Sequence, residues 1–117
     1  MNEKIKKILS KYKTIAMVGV SKDNKKPSTI VMRYMQKYGF KVIPVNPSAK
    51  GQKILGEEVF AKLKDIKIPV DIVDVFRPSR EAPNYAEDSI KIGAKVFWLQ
   101  LGISSSKAKE IVEAKDI

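Results

Sequence analysis

Short apolar runs alternate with amphipathic stretches along the chain. The run at residues 14–20, TIAMVGV, is continuously apolar and ends in a glycine turn. This pattern is typical of a strand that is buried on both faces of a parallel sheet. Three further apolar runs predict strands at residues 40–45, 70–76 and 95–101.

Apolar residues at helical spacing fill the segments between these strands. Residues 27–38 begin with Pro27–Ser28, which is typical of a helix start, and Gly39 follows as a stop signal. We expect Ile30, Val31, Tyr34 and Met35 to form the inner face of this helix. Other helical segments are predicted at residues 3–12, at 80–92 before Gly93, within 54–63 after a short turn, and from 104–106 to about 114.

Alternation of strand and helix predicts an α/β fold with a parallel sheet and right-handed crossovers. In such sheets ligands bind beyond the carboxyl ends of the strands. A binding site is therefore expected among the loops at residues 19–28, 45–51, 76–80 and 100–105.

Length and composition indicate one folded domain. The chain has 117 residues, of which 44% are hydrophobic and 31% are charged, which fits a folded protein with one core. No apolar run is long enough to span a membrane, and residues 1–13 lack the apolar stretch of a secretory signal. We therefore expect a cytoplasmic protein.

Two residue types that dominate enzyme chemistry are missing. The sequence contains no cysteine and no histidine. This excludes disulfides, thiolate catalysis, zinc–thiolate sites, phosphohistidine chemistry and the Ser-His-Asp triad. Catalysis would have to use Asp, Glu, Lys, Ser, Tyr or Arg, and the sequence predicts a protein that is not an enzyme.

Positive charge is concentrated in the first half of the chain. The net charge is +10, and residues 1–58 contain 13 Lys and Arg against 4 Asp and Glu, whereas residues 59–117 contain 10 against 9. Such a balance favours an anionic partner such as a nucleotide, a nucleic acid or an acidic lipid. A solvated, lysine-rich surface without any such partner is at least as consistent with composition alone.

The loop at residues 19–28 has the features of a phosphate cradle. Gly19 permits a sharp turn, and the following helix start offers free N–H groups and a favourable dipole. The loop also carries hydroxyl groups and cations, on Ser21, Ser28, Thr29, Lys22, Lys25 and Lys26. It matches neither G-x-G-x-x-G nor the P-loop pattern, so an ordinary turn with solvated lysines is an equally good interpretation.

The other three loops also carry candidate ligand contacts. In the second loop Asn46 and Lys50 stand where a dinucleotide-binding unit usually has an acidic residue, which disfavours NAD and suits a ribose with an extra phosphate. A strand end stopped by Asn-Pro is the alternative. In the third loop Arg77 and Arg80 are either anion ligands or surface charge.

Three nearby residues have plainer interpretations. Asp71 and Asp74 lie in an otherwise apolar strand. They could be paired carboxylates for acid–base chemistry, but we expect them to pair with nearby Lys or Arg side chains or to cap a neighbouring helix. Trp98 is expected to pack in the core.

In the fourth loop Gln100 and Gly102 offer polar contacts to a ligand.

Taken in order, the four loops resemble a known family. The segments IAMVGVSKDNKKPS, KVIPVNPSAKGQKILGEEVF, VDIVDVFRPS and GAKVFWLQLGI are similar to those of small stand-alone CoA-binding domains, which are related to the CoA-binding domain of succinyl-CoA synthetase alpha subunits. Each segment is a weak motif alone, but all four at this spacing make a strong match. The resemblance implies a Rossmann-like three-layer α/β/α domain over residues 1–117, with a parallel sheet of four to five strands.

The resemblance also implies coenzyme A or an acyl-CoA as the ligand, and it assigns roles to the loops. The first loop matches the segment that holds the CoA phosphates, and the second matches the one near the adenosine and its 3′-phosphate. The third matches a segment along the ligand beyond the pyrophosphate, and the fourth lies near the pantetheine arm. The candidate cofactor-binding residues are Gly19, Val20, Ser21, Lys22, Lys26, Pro27, Ser28, Asn46, Pro47, Lys50, Val75, Phe76, Arg77, Gln100 and Gly102.

Two departures from the family pattern limit what carries over. The synthetases use a phosphorylated histidine from a second domain, and this sequence has neither, so ligase activity is not expected. Family members usually continue into one more strand after the segment at 112–117, so an open sheet edge is expected. Such an edge favours pairing with a protein partner or a second copy of the chain.

Other functions remain open at the level of sequence. An NADP-binding or other nucleotide-binding protein would use the same cations, and an α/β scaffold could act through protein contacts alone. Nucleic acid is a less favoured partner, because the chain has no nucleic-acid-binding motif and only 8% aromatic residues.

Overall fold

The computed structural model describes residues 10–23, 25–99 and 109. Two α-helices lie in this part of the chain, α1 (Pro27–Lys37) and α2 (Ala82–Lys91). Its strands are β1 (Thr14–Val18), β2 (Lys41–Val45), β3 (Lys53–Ile54), β4 (Glu57–Glu58), β5 (Ile72–Val75) and β6 (Val96–Leu99). Single 3₁₀ turns occur at Pro47–Ala49, Leu63–Asp65 and Ser79–Glu81.

The main sheet has four parallel strands in the order β2-β1-β5-β6. Ile15 of β1 lies between Val42 of β2 and Ile72 of β5, and Ile72 in turn lies beside Val96 of β6. The chain runs outward from β1 to β2 and then crosses back to β5, so the strand order changes direction between β1 and β5. The parallel α/β architecture predicted from the alternating pattern is confirmed, and the sheet has the Rossmann-like order.

Helices cover both faces of this sheet. Met32 of α1 packs with Met17 and Val42 on one face. Tyr85 and Ile92, in and after α2, pack with Val73 and its neighbours on the other face. Residues 15–18 are all buried because side chains on both faces of β1 meet a helical or loop layer. The domain therefore has the three-layer α/β/α arrangement.

The prediction of a short helix within residues 54–63 was wrong. The chain instead forms the antiparallel hairpin β3–β4, in which Ile54 pairs with Glu57. Its two turn residues, Leu55 and Gly56, have φ angles of 50° and 84°, as a tight two-residue hairpin turn requires. Gln36 of α1 donates a side-chain hydrogen bond to the Leu55 carbonyl, with a distance of 3.2 Å, so the hairpin is fastened to the α1 layer.

The predicted inner face of α1 was also wrong in part. Its buried residues are Ser28, Thr29 and Met32, whereas Ile30 is 49% exposed and Tyr34 is 58% exposed. The side chains of Ser28 and Thr29 are turned inward because both are hydrogen-bonded to the β1–α1 loop. These contacts set the rotation of the helix in place of the apolar periodicity. Val31 and Met35, the other two predicted residues, are partly buried against the core.

Most predicted element boundaries hold within two residues. The helix predicted at 80–92 begins with the 3₁₀ turn Ser79–Glu81 and continues as α2. Gly39 and Gly93 follow the two helices with φ angles of 89° and 78°, as predicted for glycines at helix ends. Among the described residues no helix is long and apolar enough to cross a membrane.

Several predictions fall on other parts of the chain. The helix at 3–12, apart from its last residues, and the helix from 104–106 to about 114 lie outside the described residues. The same is true of Gln100, Gly102 and the segment that would follow the last helix.

Candidate functional site

Three of the four predicted loops converge at the carboxyl edge of the sheet. The Gly19 N–H donates to the Val45 carbonyl at 2.8 Å, which joins the end of β1 to the end of β2. The Phe76 N–H donates to the Val18 carbonyl at 2.8 Å, which joins the loop after β5 to the same strand. The loops after β1, β2 and β5 therefore form one surface at the point where the strand order changes direction, where parallel α/β sheets bind ligands.

The β1–α1 loop begins with a glycine turn and ends at a helix start. Gly19 has a φ angle of 90°, a conformation that glycine adopts without strain. The Ser21 N–H donates to Ser28 Oγ at 3.1 Å, and Thr29 Oγ1 donates to the Ser21 carbonyl at 2.6 Å. Ser28, predicted as a ligand contact, thus helps to hold Ser21 against the α1 N-terminus. Val20, which lies between Gly19 and Ser21 in the chain, is fully buried.

Beyond Ser21 the loop folds into a compact polar turn. The Asp23 N–H donates to Ser21 Oγ at 3.0 Å, and the Lys25 N–H donates to Asp23 Oδ1 at 2.9 Å. Lys22, Lys25 and Lys26 are exposed. These hydrogen bonds fix the backbone and leave three ammonium groups at the surface.

The N-terminus of α1 is electrostatically suited to an anion. Lys26 precedes the helix without capping it through its side chain, Pro27 stands in its first turn, and that turn contains no acidic residue. The Lys22 Nζ group donates to Gln52 Oε1, which connects this loop to the segment after β2. This partner of Lys22 is a neutral amide, not a carboxylate.

The loop after β2 is braced by one amide side chain. Asn46 Nδ2 donates to the Val20 carbonyl at 2.9 Å, and Asn46 Oδ1 accepts from the N–H and the hydroxyl of Ser48 at 3.0 and 2.8 Å. Asn46, predicted as a ligand contact, therefore ties the first and second loops together. Pro47 and Lys50 are exposed beside it.

The loop after β5 brings an arginine over the glycine turn. Val75 is fully buried and Phe76 packs partly buried against the α1 side of the core. A methyl group placed on Gly19 would lie 2.9 Å from Arg77 Cδ and 2.9 Å from the Phe76 carbonyl oxygen. The aliphatic part of Arg77 therefore lies directly against Gly19.

The guanidinium of Arg77 is paired with Glu81. Arg77 Nε and Nη2 donate to the two carboxylate oxygens of Glu81 at 3.1 and 2.8 Å. The hydrogen bond raises the pKa of Arg77 and lowers the pKa of Glu81. Both groups are therefore charged at neutral pH, and the pair contributes no net charge to the edge.

A cleft of about 430 Å³ opens beside this edge, on the α2 side of the sheet. Tyr85 is one of its walls, and burial raises the pKa of the Tyr85 phenol. The volume lies in the range of small-molecule pockets. The lining residues are Pro47, Ala61, Lys62, Leu63, Lys64, Glu81, Asn84, Tyr85, Asp88, Lys91 and Ile92.

Sequence reasoning missed three residues of this region, namely Gln52, Glu81 and Tyr85. Glu81 follows Arg77 by four residues, a spacing at which opposite charges commonly pair, so a local signal for it existed. No local sequence pattern identifies Gln52 or Tyr85. Gln52 contacts Lys22, which is 30 residues away in the sequence, and Tyr85 lines a cleft formed by several segments.

The two aspartates, Asp71 and Asp74, lie at different places relative to the three loops. Asp71 precedes β5, at the opposite edge of the sheet, where its carboxylate accepts from the N–H groups of Lys13 and Thr14 at 3.2 Å each. Asp74 is buried inside β5, beside Trp98 of β6. These hydrogen bonds of Asp71 are with backbone N–H groups at the start of β1, not with the Lys or Arg side chain or the helix end that the sequence led us to expect. Trp98 is partly buried.

Comparison with known protein families identifies the domain. A sequence model of the family described as "CoA binding domain" matches residues 13–117, which is nearly the whole chain. The chain belongs to the CoA binding domain family. The resemblance inferred from the four loop segments is therefore confirmed.

Relatives of this CoA binding domain include both small proteins and a large ligase. It is 40% identical over 111 residues to the uncharacterized protein YneT of Bacillus subtilis (strain 168), covering 95% of this chain and 81% of YneT. It is 27% identical over 89 residues to an acetate–CoA ligase [ADP-forming] of Methanocaldococcus jannaschii, covering 76% of this chain but 12% of the ligase. This CoA binding domain thus corresponds to a small part of that enzyme.

A solved structure supports the fold of this CoA binding domain. A Thermus thermophilus protein titled cell-free ID.343 superimposes with a TM-score of 0.93 at 37% identity, covering 100% of this chain and 88% of that protein. The likeness therefore extends along the whole chain.

Proposed function

We propose that this domain binds coenzyme A or an acyl-CoA through the loops at the carboxyl edge of the sheet, without catalysing a reaction of its own. The observation that carries the proposal is the convergence of three loops on Gly19, with hydrogen bonds to Val45 and contacts to Arg77. Membership of the CoA binding domain family supplies the ligand class.

The charges at this edge suit the phosphates of CoA. A pyrophosphate beside the β1–α1 turn would meet the α1 N-terminus and the ammonium group of Lys22, both of which favour an anion. Lys50 is exposed after β2, where a phosphate on the ribose would extend. These features support binding of a nucleotide with several phosphate groups.

The non-catalytic part of the proposal depends on residue chemistry. The chain contains neither histidine nor cysteine. Ser28, a hydroxyl at the centre of the edge, is buried and its Oγ accepts the hydrogen bond of the Ser21 N–H, an arrangement that holds the loop in place and differs from the hydroxyl–base pair of a catalytic serine. Binding that stores, presents or senses CoA accords with this chemistry.

Thermal unfolding of the purified chain in the presence and absence of CoA tests the proposal. A ligand that binds only the folded state stabilises it by about 2.7 kcal/mol at roughly a hundredfold excess over Kd. ADP, NAD and NADP serve as parallel ligands. NADP is the most stringent comparison with CoA, because its ribose 2′-phosphate offers Lys50 the same charge as the 3′-phosphate of CoA.

Two charge-reversal variants locate the site in the same assay. Lys22→Glu alters the β1–α1 loop, whereas Lys95→Glu makes the same change of charge at an exposed residue before β6, at the opposite edge. We expect Lys22→Glu to abolish most of the stabilisation by CoA and Lys95→Glu to retain it. Equal stabilisation by NADP and CoA would reject CoA as the preferred ligand, and no stabilisation by any nucleotide would reject the proposed function.

A further inference from the structure

Two cations reach the β1–α1 turn, and their partners differ in charge. Lys22 Nζ donates to the neutral amide of Gln52. Arg77 is bound by both carboxylate oxygens of Glu81, at 3.1 and 2.8 Å. Lys22 therefore presents a full positive charge to a ligand, whereas the charge of Arg77 is compensated in the free protein.

The position of Arg77 depends on two separate contacts. Its Cδ atom lies against the Gly19 turn, where an added methyl group would approach it to 2.9 Å. Its guanidinium, attached to that Cδ, is directed to Glu81 by the ion pair. The Arg77 side chain is 45% exposed and that of Glu81 is 27% exposed, so water reaches both members of the ion pair.

We propose that Arg77 exchanges partners on ligand binding, from Glu81 in the free protein to a phosphate oxygen of the ligand at the Gly19 turn. Glu81 then competes with the ligand for Arg77 and sets the affinity for phosphate-bearing ligands. This inference rests on the proposed function, since it names a device that regulates the same site.

The exchange is physically favourable for two reasons. An exposed ion pair contributes little to stability, because water solvates both of its charges well. A guanidinium matches the geometry of a phosphate and binds it with two charge-assisted hydrogen bonds. The exchange requires rotation of the Arg77 side chain beyond Cδ, because Cδ itself already lies against the turn.

Glu81→Gln tests the competition directly. The substitution removes the carboxylate charge and keeps the size of the side chain. Calorimetric titration with CoA is expected to show binding about fivefold tighter than in the wild type, the factor that corresponds to the loss of an exposed ion pair. Glu87→Gln is the matched control, because Glu87 is exposed on α2 and its substitution changes the net charge by the same amount. The Kd of this variant for CoA is expected to stay at the wild-type value.

A mirrored variant examines the other cation. Gln52→Glu gives Lys22 a charged partner of the kind that Arg77 has, and we expect it to weaken CoA binding by a similar factor. Far-ultraviolet circular dichroism of each variant confirms that the fold is retained. Opposite effects of Glu81→Gln and Gln52→Glu would show that the partner's charge governs affinity at both cations.

Nuclear magnetic resonance of the arginine Nε–H groups follows the exchange itself. On titration of the wild type with CoA, the Arg77 Nε–H signal is expected to move, whereas that of Arg33 on α1 is expected to stay in place. If the wild type binds CoA but Glu81→Gln binds no more tightly, or if the Arg77 signal does not move, the exchange is overturned while the proposed function stands. If neither the wild type nor any variant binds CoA, both are overturned.

Discussion

Gly19 shows how one residue shapes the candidate site. Its φ angle of 90° lets β1 turn into the loop, and its lack of a side chain lets Arg77 and the Phe76 carbonyl approach. Its N–H joins the end of β2. One small residue thus permits three loops to meet, and any side chain at this position would separate them.

Gly19→Ala is expected to destabilise the fold by about 2 to 3 kcal/mol, because backbone strain at positive φ adds to a clash with the Phe76 carbonyl. Gly51→Ala is the control, since Gly51 has a φ angle of 80° and an added methyl group there would meet no atom within 4 Å. Urea denaturation of both variants measures the difference. Equal losses of stability in the two variants would mean that the close approach of Arg77 and Phe76 contributes nothing.

Polar residues at the carboxyl edge of the sheet form hydrogen bonds with other residues of the same loops. Asn46 binds both Val20 and Ser48, and Ser28 binds Ser21. Their residue types and loop positions were predictable, because glycine, asparagine and serine mark loops in any sequence. Their hydrogen-bond partners could not be predicted from the sequence, because those partners depend on how separate loops pack together.

The rotation of α1 is decided at its N-terminus. Apolar periodicity alone favours Ile30 and Tyr34 as inner residues, but Thr29 and Ser28 are bound to the loop before the helix. Met32 then faces the core and is fully buried. Because these polar residues face inward, some apolar side chains of α1 face outward. Tyr34 and Tyr38 contact each other there, with ring centroids 4.7 Å apart and ring planes tilted by 45°.

Met32→Ala is expected to lower the free energy of unfolding by about 2 to 4 kcal/mol, because it leaves a cavity among buried side chains. Ile30→Ala is the matched variant, since Ile30 is 49% exposed, and we expect it to cost less than about 1 kcal/mol. Chemical denaturation of the two variants provides the measurement. A larger loss in Ile30→Ala than in Met32→Ala would restore the helix rotation that periodicity favours.

The hairpin in the connection between β2 and β5 was harder to predict than the strands of the main sheet. The hairpin β3–β4 has two residues in each strand, too few for an alternating pattern to show. Its attachment to β2 comes from Phe60, whose N–H donates to the Pro44 carbonyl at 3.1 Å. Pro44 has no N–H to leave unpaired on this outer side of β2, which suits an edge strand.

The charge of the whole molecule acts at a longer range than any of these contacts. The chain carries a net charge of +10, and α1 and its preceding loop contain several exposed cations and one acidic residue, Asp23. A field of this sign raises the local concentration of anions around the domain. It assists binding of any anionic nucleotide, while the loops decide which one is preferred.

Binding of CoA is therefore expected to weaken with salt. Raising the ionic strength from roughly 0.01 M to 1 M shortens the range of exposed charges from about 30 Å to about 3 Å, and we expect the Kd for CoA to rise at least about fivefold. Calorimetric titrations at several salt concentrations measure this change. The melting temperature of the free protein at each concentration controls for changes in folding, and a constant Kd would show that the charge of the domain contributes nothing to binding.

Local sequence pattern was enough to predict the parallel α/β class, the main strands and helices, and the loops that carry the candidate site. These features follow from local pattern, because a doubly buried strand is apolar throughout and glycine stands where helices end. The rotation of α1, the hairpin β3–β4 and the partners of Lys22 and Arg77 could be seen only in the folded structure. These features depend on contacts between separate segments, such as Gly19 with Val45 and Lys22 with Gln52, and packing selects among arrangements that the local sequence permits equally.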